Sequence, residues 1–440
     1  MTGLTRTDEQ IIQEKIVEEL TKNEVPASFP EHLITDECEN SRRYVDASVR
    51  IDLRAIDCFT IDGPNAKELD DAVSLELTEG GYRLGVHIAD VTAYVPHDSA
   101  LSAEAEKRGT TFYFPGYTIP MFPSAISEQL CSLTAGADKK TITMFIDFDP
   151  DGNILNYEVC RSVIRSRVRG IYAEVNMLLE DTADAVIREK YESVAESIIN
   201  MGRLAEILHE KRARCGASVG SLKEYKYTFA EEMLELSVCG ETVADQMICE
   251  FMVAANTCMA YYFEENNLPG MYRVQKDTSL NARYSTEQHN HESLAIYGGY
   301  LRFTSPIRRA ADYKVHQVLA AFLDGESAES LQARYFDELT AYCGKAQSLE
   351  ERAKRLERKI LNECHMLYFM RHADDTFKGI IVGTSRGSGD VMIALQPYNI
   401  VILGGSVLSK YIGQEFLVKV MVDVEKNRLC VGHISRASAA

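Results

Sequence analysis

The stretch "IDGPNAKELDD", from Ile61 to Asp71, sets four carboxylates close together: Asp62, Glu68, Asp70 and Asp71. The runs on either side, "CFT" and "AVSLEL", are mostly apolar. Two unit charges about 4 Å apart repel by roughly 4 kcal/mol at an effective dielectric near ~20. Four such groups in one place need relief. Either a carboxylate takes a proton or a cation binds, and an all-oxygen donor set suits a hard ion, Mg²⁺ or Mn²⁺. In an extended chain Glu68 and Asp70 share one face and Asp71 takes the other. "GPNAK" is turn-prone, and a turn there lets Asp62 face the other three. An exposed acidic turn without metal accounts for these residues equally well at this point. The twelve-residue spacing of an EF-hand is absent.

Outward from this stretch the apolar period decides the fold. From Ala72 it is two: "AVSLEL", "EGG" and "YRLGVHIADVTAYV" predict a hairpin. "TMFIDFDPDGNILNYEVCRSVIRS" predicts a second, with "DPDGN" as its turn. Upstream, residues to about Ser41 predict a helix and a polar connector, broken at "VPASFP". Helices follow the hairpins. "DAVIREKYESVAESIINMGRLAEILHEKRARCG" predicts one helix ended by Gly216. "TVADQMICEFMVAANTCMAYYFEENN" predicts a more buried one. "SPIRRAADYKVHQVLAAFL" predicts a third, with Pro306 in its first turn. A long helical stretch then runs to about His372, with a break near Gly344. The tail from Phe377, rich in Val, Ile and Gly, predicts a small closed barrel of the OB type. The fold class is α+β.

The 440 residues, 45% of them apolar, hold two or three domains and a sizeable core. The acidic N-terminus lacks the basic and apolar regions of a signal peptide. The longest apolar-rich run, Met247 to Phe263, is interrupted by Glu250 and Asn256 and is too short for a membrane span. No membrane partner is expected. The 11 cysteines, without CxxC spacing, read as reduced cytoplasmic thiols, mostly small core residues. A net charge of -19 weighs against nucleic acid, although an acidic shell can surround a basic channel. Basic clusters occur at Arg161–Arg169, Glu210–Arg214 and Glu351–Lys359, each of which alone reads first as a solvated helix face or strand edge. Glu250, inside an apolar helix, needs a partner if buried. His291 and His316 read as satisfied core histidines.

The stretch "FTIDGPNAKELDDAVSLE" resembles the signature of the RNB catalytic domain of the ribonuclease II and ribonuclease R family. Further segments resemble that family in its own order: "FYFPGYTIPMFPSAISEQLCSL", "SRVRGIYAEVN", "EFMVAAN", "FTSPIRRAADYKVHQ" and "ERAKRLERK". The barrel-like tail stands where the family has its S1 domain. The resemblance runs from about Val25 to the C-terminus. It implies three parts: an N-terminal helical segment at 1–41, an RNB-like catalytic domain at 42–373, and an S1/OB-like β-barrel at 374–440. It also implies Mg²⁺-dependent hydrolysis of single-stranded RNA from the 3′ end, releasing nucleoside 5′-monophosphates. By position, Asp62, Glu68, Asp70 and Asp71 match the metal-site carboxylates, with Asp70 the acid most tied to cleavage. Arg308 matches the arginine that holds the scissile phosphate, and Glu357 a late-helix glutamate near the reaction centre. Tyr113 matches an aromatic that stacks on terminal nucleotides, and Tyr172 a tyrosine implicated in RNA selection.

The chain also departs from the pattern. The family usually has aspartate at Glu68, Tyr at Ala310, and a second glutamate at Cys249. A clamping phenylalanine is replaced near Val219. The family's N-terminal cold-shock domains are expected to be missing, because few residues precede the matched region, and the tail lacks an aromatic face for RNA. The reading is a cytoplasmic 3′→5′ exoribonuclease using Mg²⁺, with Mn²⁺ as the alternative ion and single-stranded RNA as its partner. Its rivals are an RNA-binding protein with a degenerate site and a phosphodiesterase limited to short oligonucleotides. The sequence names no protein partner.

Overall fold

The computed structural model describes residues 6–44, 46–218, 224–239, 242–385 and 388–436. Val219, the position of the replaced clamp, lies outside the described residues. Helix α1 (Asp8–Lys22) opens the chain, and Thr7 and Gln10 cap it reciprocally. Helix α2 (Cys38–Arg43) follows, then strands β1 (Ile51–Asp52), β2 (Thr60–Asp62), β3 (Asp71–Thr78) and β4 (Gly81–Ala89). After α3 (Ala100–Arg108) come β5 (Phe112–Phe114), β6 (Tyr117–Ile119), β7 (Asp138–Phe148), β8 (Ile154–Arg165) and β9 (Arg169–Ile171). Helices α4 (Tyr172–Leu179), α5 (Ala185–Lys190) and α6 (Ala195–Arg214) precede the hairpin of β10 (Glu224–Ala230) and β11 (Met233–Cys239). Helix α7 (Val243–Glu265), the short pair β12 (Tyr272–Val274) and β13 (Arg283–Ser285), and helices α8 (Ala310–Leu323) and α9 (Ala328–Arg371) complete the main body. Strands β14 (Phe377–Thr384), β15 (Val391–Gln396), β16 (Ile400–Gly404), β17 (Glu415–Asp423) and β18 (Arg428–Arg436) form the tail.

The central sheet has the order β1-β8-β7-β4-β3. Both hairpins form as their alternation requires: β3 pairs antiparallel with β4, and β7 with β8. Asp149 closes the second turn by accepting the Asn153 N–H on Oδ1 at 2.7 Å. At the start of β3, Ala72 and Val73 are both fully buried, whereas Glu76 to Thr78 at its far end are exposed. The acidic stretch therefore enters the sheet where both faces are covered. Helix α7 runs through the core, with Phe251, Ala255, Met259 and Phe263 buried. The tail closes into a barrel of order β14-β15-β16-β18-β17, as the sequence predicts. Among the described residues no helix is long and apolar enough to cross a membrane.

Three local readings need correction. The segment from Asp184 to Gly216 is two helices, α5 and α6, and not one. Tyr191 interrupts it: the side chain is fully buried, donates to Glu174 at 2.7 Å and accepts the Ile171 N–H at 2.9 Å. Gly344 does not break the late helix; α9 is continuous over 44 residues. Tyr342, Cys343 and Ala346 around it are buried, and that packing outweighs the roughly 1 kcal/mol helix cost of one glycine. Pro306 stands ahead of α8, whose N-cap is Arg309.

Helix α9 joins three cores, and its Leu331, Tyr335 and Leu339 lie in the main one. Its Leu356, Ile360 and Cys364 pack with Ile12, Ile16 and Leu20 of α1 and with Phe112 and Phe114 of β5. Its Met366 and Phe369 belong to the barrel core.

Candidate active site

Backbone pairing gathers the acids. β2 runs parallel to β9, with Asp62 opposite Ile171, and Phe59 bridges to Val73 just inside β3. Asp62 and Asp71 therefore lie at neighbouring strand ends. The loop between them is pinned from outside. Arg169 donates to the carbonyls of Pro64 at 3.0 Å and Ala66 at 2.7 Å. Ser132 donates to Lys67 O at 2.8 Å and accepts the Leu69 N–H at 3.2 Å. These bonds fix the turn in "GPNAK" that the convergence of the acids requires.

Asp70 sits deepest, 3% exposed. Its Oδ1 accepts the Ile307 N–H at 2.8 Å, and Arg308 Nε lies 3.4 Å from its Oδ2. Arg308 also donates to Ser305 Oγ at 2.9 Å, and its carbonyl accepts the Thr111 N–H at 3.0 Å. Burial pushes the Asp70 carboxyl up to about 8, against the pull of Arg308. Burial pushes Asp62 and Asp71 up to about 7, helped by repulsion from Asp70 on the first and from Asp62 on the second. Burial also raises Glu68, opposed by its bond to Tyr113. Asp70 and Asp312 help to hold the Arg308 guanidinium charged against its burial.

Tyr113 donates its hydroxyl to Glu68 Oε2 at 3.0 Å, and its backbone N–H to Glu357 Oε1 at 2.9 Å. Glu357 thus reaches the site from α9 through the β5 backbone. Tyr172 opens α4, and burial together with Asp71 and Asp62 drives its hydroxyl well above the usual tyrosine range. All eight residues singled out from the sequence therefore belong to one neighbourhood.

The donor chemistry fits a hard divalent ion. The buried oxygens Asp62 Oδ2, Glu68 Oε1 and Asp70 Oδ2 have no hydrogen-bond partner, and the carboxyls strain toward protonation without a cation. Among the described residues, however, no three acidic, His or Cys side chains stand close enough to grip one ion together. The four acids do not form a closed cage. Mg²⁺ is ordinarily held by one or two carboxylates, with waters and substrate phosphate completing its shell. Pairs drawn from Asp62, Glu68, Asp70 and Asp71 suit that mode.

The sequence reading missed Asp312. It is fully buried, accepts from Arg309 at 2.6 Å and from the Ser305 N–H at 3.0 Å, and so shapes the turn that presents Arg308. Its spacing of three from Arg309 was the available signal. The basic clusters also resolve. Arg161, Arg165 and Arg167 pair with Asp324, Asp138 and Asp57. Arg212 pairs with Glu250 at 2.6 Å, and His209 adds a contact at 3.0 Å, which supplies the partners that buried Glu250 needs. Arg352, Lys354, Arg355 and Arg358 on α9 form no ion pair among the described residues. His316 is fully buried and bonds the Phe303 carbonyl at 2.7 Å, a core histidine.

Comparison with known proteins places this geometry. The RNB domain model matches residues 50–282 and 276–325. Ribonuclease R of Thermotoga maritima is 31% identical over 425 residues, 82% of this chain and 59% of that protein. The structure of Mycoplasma genitalium RNase R in complex with ribose-methylated single-stranded RNA shares the fold. Its TM-score is 0.83 at 22% identity, over 96% of this chain and 78% of that one. Yeast Ssd1, described as a pseudonuclease, shares it at a TM-score of 0.65 and 15% identity, over 95% of this chain and 58% of that one. The chain spans about half to three fifths of the length of the curated relatives it matches. With the domain model covering more than half of its residues, and with the ordered motifs folded around one acidic site, the chain belongs to the RNB family.

Proposed function

We propose that this chain is a 3′→5′ exoribonuclease that hydrolyses single-stranded RNA to nucleoside 5′-monophosphates, with Mg²⁺, or Mn²⁺, at the acidic site. The observation that carries the reading is the joint placement of Asp70 and Arg308. The Ile307 amide fixes the carboxylate, and the guanidinium lies beside it at 3.4 Å. A phosphodiester entering here meets a cation on one side and acids with unpartnered oxygens on the other.

Each residue then has a task. Arg308 binds the non-bridging phosphate oxygens through charge-assisted bonds, which strengthen as negative charge builds on them. Asp62, Glu68, Asp70 and Asp71 would hold the ion, which supplies a low-pKa water and Lewis acidity at the phosphate. Asp70 orients the attacking water and takes its proton. Tyr113 offers a ring on which any base stacks without sequence preference. Tyr172, beside Asp62 and Asp71, borders the sugar. Glu357 holds the Tyr113 backbone.

Incubating purified protein with 5′-labelled single-stranded RNA, with Mg²⁺ or with EDTA, tests the reading. Stepwise shortening and release of 5′-monophosphates in Mg²⁺ alone are expected. A second reading, RNA binding without hydrolysis, is favoured by the absence of any three-residue grip on one ion among the described residues. Retained binding without nucleotide release would select it.

A further inference from the structure

We propose that Glu68 is a positioning residue for Tyr113, holding the ring in its base-stacking orientation before RNA arrives. The inference rests on reading Tyr113 as the base platform. Strand β5 alternates: Phe112 and Phe114 are buried, and Tyr113 between them is 47% exposed. The strand therefore anchors the backbone on both sides while one ring face stays open. The backbone N–H is fixed separately, by Glu357 at 2.9 Å. What remains free is rotation of the side chain, and the hydroxyl bond to Glu68 Oε2 at 3.0 Å removes it. Thr111 Oγ1 approaches the same oxygen at 3.4 Å, so Oε2 serves the β5 segment. The other oxygen, Oε1, is buried and unpartnered. One carboxylate thus commits its Oε2 to the Tyr113 ring and leaves its Oε1 unbonded.

The length of the side chain matters. Removing one methylene shortens the reach by about 1.5 Å, which breaks a 3.0 Å bond unless the backbone shifts. A ring already held in place spares the ordering cost of binding, worth roughly two- to tenfold in affinity for one side chain.

The test measures binding without metal, so that any role of Glu68 toward an ion does not enter. Fluorescein-labelled pentaadenylate is titrated by fluorescence polarisation in EDTA against wild type, Tyr113→Phe, Glu68→Asp, Glu68→Gln and the Tyr113→Phe/Glu68→Asp double variant. Tyr113→Phe keeps the ring and loses the bond, so affinity should fall roughly two- to tenfold. Glu68→Asp should fall by a similar factor, and the double variant no further than either single one. Glu68→Gln, whose amide oxygen still accepts the hydroxyl, should bind as wild type does. Unchanged binding by Tyr113→Phe, losses that multiply in the double variant, Glu68→Gln as weak as Glu68→Asp, or a wild type that does not bind the oligonucleotide would each overturn the proposal. Hydrolysis of the same oligonucleotide by wild type in Mg²⁺ is read separately. Its absence refutes the exonuclease reading and leaves the binding cycle to judge Glu68.

Discussion

The Ile307 N–H donates to Asp70 Oδ1 at 2.8 Å, a bond between residues 237 positions apart in the chain. It joins the acidic loop to the turn that carries Arg308, so anion and cation of the site are set by one contact. Asp70→Asn keeps an acceptor for that amide and removes the charge. RNA hydrolysis should fall at least about 100-fold, the scale set by loss of a preorganised electrostatic group. The thermal midpoint should stay close to wild type. Nucleotide release and a circular-dichroism melt check both parts, and full activity in this variant would remove Asp70 from the chemistry.

Stability should depend on pH through the same acids. Asp62 and Asp71 are raised to about 7 and Asp70 to about 8, all above the unfolded value of about 4. The folded, metal-free protein therefore holds more protons than the unfolded chain between these limits. The resulting stabilisation is complete below about pH 4 and is lost as pH rises through 7 to 8. An Asp62→Asn/Asp71→Asn variant escapes the part of this loss that Asp62 and Asp71 cause. In EDTA its melting temperature relative to wild type should climb from pH 5 to pH 9. Added Mg²⁺ should raise the wild-type midpoint more at pH 8 than at pH 6, where protons compete for the ligands. A gap that stays constant with pH would show that these carboxyls titrate normally.

Asp312 holds the Arg308 turn from behind. Asp312→Ala leaves the half-buried Arg309 without its carboxylate, while Arg302 keeps Glu350 at 2.7 Å. Removing one partner from a buried ion pair costs about 3–5 kcal/mol. Urea unfolding should show that loss, and a cost below about 1 kcal/mol would mean that solvent reaches the site and screens the arginines.

Gly170 tests the backbone pairing. A Cβ there would stand 2.4 Å from the Thr60 carbonyl, inside the β2–β9 ladder. Gly170→Ala should force the strands apart, cost about 1–3 kcal/mol, and displace Asp62 from Asp71. Chemical denaturation measures the first effect. Weaker Mg²⁺-induced stabilisation reports the second, and an Ala variant as stable as wild type would argue against this register.

The two hairpins and the barrel were legible because alternation and turn chemistry are local. Leu75 opposite Leu84 follows from the "EGG" turn alone. The parallel pairing of β2 with β9 was not legible, since Thr60 and Arg169 meet only after more than a hundred residues of chain. That pairing sets Asp62 opposite Ile171, next to Tyr172, while the Phe59–Val73 bridge brings Asp62 to Asp71. Likewise the motif matches nominated Glu357 and Tyr113 separately, but no pattern announced that the glutamate takes the tyrosine's backbone N–H. Tyr191 and Gly344 misled for one reason: tertiary burial overrode the local signal, for a continuous helix at the first and for a break at the second. The ion pairs that absorb Arg161 and Arg212 were hidden because their acids lie on other elements.

Helix α9, at 44 residues, is a rod of about 66 Å. Glu357 grips the Tyr113 amide from about two thirds of the way along it, and Phe369, about 18 Å further on, is sunk in the barrel. The rod has the Tyr113 strand at one bearing and the barrel at another. One helix therefore carries both the barrel core and the Tyr113 contact, and through the Tyr113 hydroxyl the same rod reaches Glu68 of the acidic site.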